Sequence, residues 1–99
     1  MINLGEASLM IPQDFSLNNP YPNPFNPSTT ISFGVPEDSN VSIEVFDVNG
    51  RLVETLINDN LDAGYHEIQW DATLQSSGLY IIKMQSDRFI DTQKLMLIK

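Results

Sequence analysis

Cysteine is absent from the 99 residues, which removes a disulfide scaffold, a thiolate zinc site and a cysteine nucleophile together. The compartment stays open, because an exported bacterial protein needs no disulfide. Basic residues are scarce: five Lys+Arg stand against thirteen Asp+Glu, for a formal net charge of −8. Nucleic-acid binding needs a basic footprint, so that class of partner is excluded. Histidine occurs once, as His66, and a Ser-His-Asp triad could be built only on it. The five glycines are scattered singly, so no phosphate-cradling glycine loop is present. No apolar run approaches the ~18 residues of a membrane-spanning helix. Residues 1–10 contain Asn3, Gly5 and Glu6 and no base, unlike a secretory signal. Any export signal is therefore expected on a part outside this sequence. Met1 then reads as an added start for an excised domain, with an intact small cytosolic protein as the alternative.

What is there suits one domain. A chain of this length buries about 65% of its unfolded surface, with no spare mass for a separate catalytic domain. Its 41% hydrophobic and 18% charged residues are ordinary for a globular fold. Charge is uneven: residues 1–50 hold six acids and no base, and residues 51–99 hold seven acids and all five bases. Proline is confined to Pro12, Pro20, Pro22, Pro24, Pro27 and Pro36. The stretch from Asn18 to Pro27 can be neither helix nor central strand, since each proline lacks an N–H and biases its predecessor towards extended geometry. It reads as an ordered irregular loop anchored by Tyr21 and Phe25. Residues 1–14 read as a linker or loosely attached arm.

Past Pro27 the sequence alternates. Thr30–Val35 places Ile31, Phe33 and Val35 on one face, and Val41–Val45 does the same with Val41, Ile43 and Val45. Asn49-Gly50 predicts a two-residue type I′ hairpin turn, followed by a return strand over residues 51–57 with a bulge at Leu52-Val53. Asn58-Asp59-Asn60 and Asp62-Ala63-Gly64 mark the next connection. Tyr65–Asp71 groups His66, Ile68 and Trp70, and Leu79–Gln85 groups Tyr80, Ile82 and Met84. A last strand covers residues 89–98, and Phe15-Ser16-Leu17 supplies a short one. About seven strands with regular turns and no helical period predict an all-β, immunoglobulin-like antiparallel β-sandwich. Trp70 followed by Ser77-Gly78-Leu79-Tyr80 echoes the tyrosine corner of immunoglobulin domains, with Ile82 where the bridging Cys would stand.

Catalytic chemistry is sparse. His66 fits a partly buried strand-end residue better than a general base. Asp47-Val48-Asn49-Gly50 resembles a fragment of a calcium loop, with Asp59 and Asp62 in the next turn. The distal bidentate Glu at set spacing is missing, and hairpin chemistry explains the same residues. Glu37, Asp38, Glu67 and Asp71 fit a solvated surface. Tyr65, Trp70 and Tyr80 could form a sugar platform, but Trp70 has inward parity. The sequence therefore predicts no enzyme, no cofactor and no metal. The segment Lys94-Leu95-Met96-Leu97-Ile98-Lys99 is apolar on both strand faces. It reads either as a strand buried in the sandwich or as a docking strand open to pairing with another chain. In isolation such an edge could also pair two copies into a dimer.

Five stretches carry a family likeness: Tyr21–Ile31 (YPNPFNPSTTI), Phe46–Val53 (FDVNGRLV), Ala63–Asp71 (AGYHEIQWD), Ser77–Tyr80 (SGLY) and Lys94–Lys99 (KLMLIK). Together, over about residues 15–99, they resemble the type A C-terminal sorting domain of type IX secretion, the Por secretion family. A looser likeness is to the immunoglobulin-like domain of flagellar hook-capping proteins, which suggests an accessory or scaffold module binding sugar or protein as the alternative. The sorting resemblance implies a C-terminal signal on a larger cargo of Bacteroidota-type bacteria. That cargo passes through the periplasm, and the outer-membrane type IX translocon delivers it to the cell surface or the medium. The resemblance also implies removal of the domain by a surface cysteine protease acting as a sortase, upstream near residues 1–14, and attachment of some cargo to lipopolysaccharide. Carried onto this sequence, recognition would fall on Pro22, Asn23 and Pro24, on Gly78 and Tyr80, and on Lys94 and Lys99. Gly78 would then allow tight approach at the strand start.

Overall fold

The computed structural model describes residues 11–99, and the opening residues 1–10 of the expected arm lie outside them. Seven strands follow the alternation: β1 (Ser16–Leu17), β2 (Ser28–Val35), β3 (Ser39–Asp47), β4 (Leu52–Leu61), β5 (Gly64–Asp71), β6 (Gly78–Ser86) and β7 (Phe89–Leu97). They form two antiparallel sheets, β1-β2-β5 and β4-β3-β6-β7, stacked face to face as an all-β sandwich. The apolar parity of each strand turns inward. Ile31, Phe33 and Val35 of β2 meet Val41, Ile43 and Val45 of β3, Ile82 and Met84 of β6, and Leu95 and Leu97 of β7 in one core. Trp70, fully buried, fills the space between the sheets.

Three local departures have physical causes. The β3–β4 turn is a three-residue loop, not the expected type I′ pair: Asn49 keeps a negative φ and only Gly50 is left-handed, at φ 81°. Gly50 N–H donates to Asp47 O (3.0 Å), and Asp47 and Arg51 close the loop as Asp47 N–H donates to Arg51 O (3.0 Å). A type I turn ending on a left-handed glycine bulge has this pattern. The Asp47 carboxylate favours it, since Oδ1 accepts the Asn49 (2.9 Å) and Arg51 (3.0 Å) amides. Next, β4 runs on through Asn58-Asp59-Asn60, which pair with Ser42, Val41 and Asn40; an edge strand tolerates polar residues that a sequence pattern reads as a turn. The expected bulge falls at Val53, opposite the Val45/Phe46 step, and a second one falls at Leu56. Finally, Tyr21 is no anchor: its side chain is 79% exposed, while Phe25 is 2% exposed. Tyr21 ties the loop by backbone instead, exchanging two hydrogen bonds with Thr30 (3.0 and 2.9 Å).

Pro12 packs against the smaller sheet at Gly34. A Cβ there would lie 2.8 Å from Ser16 Oγ and 2.9 Å from Pro12 Cγ, so only glycine lets the arm cross so closely.

Candidate docking site

The Pro-rich loop and β7 form the most unusual contact in the molecule. As an edge strand, β7 would offer an open row of amides and carbonyls. The loop fills much of that row. Asn23 Nδ2 donates to Lys94 O (3.0 Å), and Met96 N–H donates to Asn23 Oδ1 (3.0 Å). The side-chain amide thus stands in for a peptide group of a neighbouring strand. Two residues on, the backbone takes over: Phe25 N–H donates to Met96 O and Ile98 N–H to Phe25 O, both at 2.9 Å. Of the two readings of this strand, the buried one describes Leu95 and Leu97, and the edge that the docking reading would leave open is covered over Lys94–Ile98 by the chain's own loop.

The side chains beneath hold this corner rigid. Phe25 packs on Trp70 with ring centroids 5.5 Å apart, and Trp70 meets Tyr80 edge-on at 5.2 Å. The Tyr80 hydroxyl donates to Ser76 O at 2.6 Å, the tyrosine-corner bond anticipated from Ser77-Gly78-Leu79-Tyr80. Thr29, 1% exposed, donates through Oγ1 to Pro22 O (2.8 Å). Gly78 has φ 150°, which disfavours a side chain, yet no atom lies within 4 Å of where a Cβ would sit. Its requirement is backbone conformation and not the expected tight approach.

Lys99 closes the far side. Its amide donates to Ser77 Oγ (3.2 Å) and its Nζ to Thr73 O (2.6 Å). Thr73 is positioned in turn by Asp71, whose Oδ1 accepts both the Thr73 amide and hydroxyl. Those two bonds, the hydroxyl foremost, hold the Asp71 carboxyl below its ordinary pKa. Asp47 is lowered too, chiefly by the Arg51 amide and then by that of Asn49 and the Arg51 side chain.

The seven residues singled out in sequence thus gather around the second half of β7. Asn23 bonds to β7 directly, Pro22 and Pro24 flank it on the surface, Gly78 and Tyr80 pair with Leu97 and Leu95, and Lys94 and Lys99 belong to or follow the strand. Sequence reasoning missed Thr29, although its parity with Ile31 and Phe33 signals an inward side chain. It also missed Thr73 and Ser77 as seats for Lys99, which no local pattern marks.

Elsewhere the candidate chemistry is otherwise engaged. His66 stacks on Phe33 (5.4 Å) with Nε2 2.8 Å from Asp62 O. The Asp47 oxygens are taken up by amides and by Arg51 Nε (3.2 Å). Of the three aromatics weighed as a sugar platform, Trp70 and Tyr80 are core residues and Tyr65 alone is exposed. What the corner offers is a fixed surface of amide, ammonium and apolar groups.

No curated protein matches the chain. Among solved structures, the chain is similar to PorZ of Porphyromonas gingivalis, described as an essential bacterial surface component of the type-IX secretion system. The TM-score is 0.59 at 20% identity, covering 85% of this chain and 12% of that one. The likeness shows a shared fold, and the chain spans only a small part of that protein's length. The family model for the secretion system C-terminal sorting domain matches residues 19–99, from the Pro-rich loop to the lysine after β7. The loop, the glycine–tyrosine strand and the lysine-flanked β7 are therefore parts of one domain type, and the chain belongs to the C-terminal sorting domains, the export signals of type IX secretion.

Proposed function

We propose that the type IX machinery reads this domain at the corner where the Pro-rich loop meets β7. The relevant residues are Pro22, Asn23, Pro24, Gly78, Tyr80, Lys94 and Lys99. The observation that carries the reading is the Asn23 amide bonded to both Lys94 and Met96, two segments more than seventy positions apart in sequence. A signal assembled this way exists only after folding, so it distinguishes a finished domain from an unfolded chain. The cargo travels through the periplasm ahead of the domain. Residues 1–14 are its linker, and a surface cysteine protease cuts in or before them, leaving cargo on lipopolysaccharide or free in the medium. The domain itself performs no catalysis. When it is excised, edge pairing between copies uses β5, since β7 is covered and β4 is doubly bulged.

The test is a reporter fused ahead of the full chain in a type IX-competent cell, with Lys94→Ala and Lys99→Ala separately and together. Both side chains lie on the surface, so the domain should stay folded while export of the double variant falls. Undiminished export of that variant would refute reading at this corner.

A further inference from the structure

The outer face of the four-stranded sheet carries a second feature, which meets the covered edge at Lys94 and Met96. Inward parity of Val45, Ile82 and Leu95 turns their neighbours outward, and the pairing aligns them: Leu52 beside Phe46, Phe46 beside Ile81, Ile81 beside Lys94, with Leu79 and Met96 paired one level on. The result is an apolar band crossing all four strands, about 15–20 Å wide. Leu52 is 53% exposed and Met96 38%. Contiguous exposed apolar surface on a small domain marks an interaction site.

The charges around the band select its partner. Lys83 sits 5.2 Å over the Phe46 ring and 4.0 Å from Glu44. Arg51 pairs with Asp47 at 3.2 Å. Lys94, exposed beside Ile81, has no ion pair among the described residues. Asp47, paired with the core residue Tyr80, has inward parity, so Glu44 is the acid at an outward position of this sheet; Lys83 matches it and Lys94 is left over. The outer face of the smaller sheet, by contrast, carries Glu67 and Asp71 and no base. In a chain of net charge −8, this face, unlike the other sheet's, does not repel an acidic surface.

We infer that the outer face of the β4-β3-β6-β7 sheet docks on a protein surface of the export machinery that has an apolar centre and a carboxylate opposite Lys94. The inference rests on the sorting reading and identifies the face and the partner's chemistry. A second copy is disfavoured because the outward acid of this face, Glu44, is already paired with Lys83, so the face has no free carboxylate to set against Lys94 of its copy. An anionic membrane is disfavoured because such binding needs several clustered bases.

The test uses the reporter fusion and adds single substitutions at residues outside the seven of the loop–β7 corner. Leu52→Glu, on the far edge strand, should lower export about tenfold, the factor that one lost anchor gives. Thr92 lies outward beside Lys83; Thr92→Glu should lower export and Thr92→Lys should not. Tyr65→Glu, on the opposite sheet, should leave export unchanged. Ile81→Thr serves as a milder second variant, and the urea midpoint followed by Trp70 fluorescence checks that each variant folds. Export of folded Leu52→Glu and Ile81→Thr at the unmodified level overturns the docking face and leaves the sorting reading standing. Failure of the unmodified chain to export its reporter overturns both. Equal effects of Thr92→Glu and Thr92→Lys overturn the acidic partner. The face assignment is likewise overturned if Leu52→Glu abolishes only self-association in light scattering, or only binding to phosphatidylglycerol vesicles.

Discussion

Asn23 does the work of a strand residue with its side chain. Removing it in Asn23→Ala leaves Lys94 O and Met96 N–H without protein partners at a solvent-accessible edge, where water partly replaces them. The expected cost is about 1 kcal/mol, read from urea denaturation. Tyr80→Phe deletes the hydroxyl that satisfies Ser76 O, and a similar loss of about 1 kcal/mol follows. Asp47 and Asp71 add a pH dependence. Their carboxyls are held below the ordinary 3.8 in the folded state. Their contribution is therefore fully present above that value and is lost as pH falls through the lower folded-state pKa. Urea midpoints measured from pH 5 down to 2 should fall less steeply for Asp47→Asn and Asp71→Asn than for the unmodified chain. An unchanged slope would mean that these turn bonds do not distinguish folded from unfolded chain.

β7 belongs to the core and to the candidate site at once. Leu95 and Leu97 are each 1% exposed, so removing residues 94–99 empties part of the sandwich. We expect that truncation to abolish cooperative unfolding monitored by Trp70, which makes point changes at Lys94 and Lys99 the cleaner probes of docking. Phe25→Ala should cost about 3–5 kcal/mol, as a buried phenylalanine does, and should free the loop from β7. The strands were legible because alternation with period 2 survives wherever one face is buried: Val41, Ile43, Val45 and Tyr80, Ile82, Met84 were assigned to the core from parity alone. The reading failed where side chains overrode local pattern. The Asp47 carboxylate selected a three-residue turn over the Asn49-Gly50 pair, and β4 continued through a polar stretch that its edge position permits. The Asn23 contact with β7 lay beyond any local signal, because it joins residues distant in sequence through one side chain. The residues of the candidate site were named from family likeness, and only the fold supplies the reason that they lie together.

At the scale of the molecule, strong acidity and one charge-balanced apolar face coexist. The net charge opposes close approach of like copies, and the loop over β7 removes one edge that would otherwise invite pairing, leaving β5 as the open one. In this small body without cysteine, one corner ties the Pro-rich loop to the last strand. The central claim is that the corner itself, and not merely a stable sandwich, is the signal. The most direct test compares reporter export by Asn23→Ala with that by Ser86→Ala. Ser86 Oγ donates to Asn40 O (2.6 Å), a bond remote from the loop–β7 corner, and its loss costs a comparable ~1 kcal/mol. The account predicts that Asn23→Ala loses export while Ser86→Ala retains it. Equal export of the two variants, matched to their equal stabilities, would contradict it.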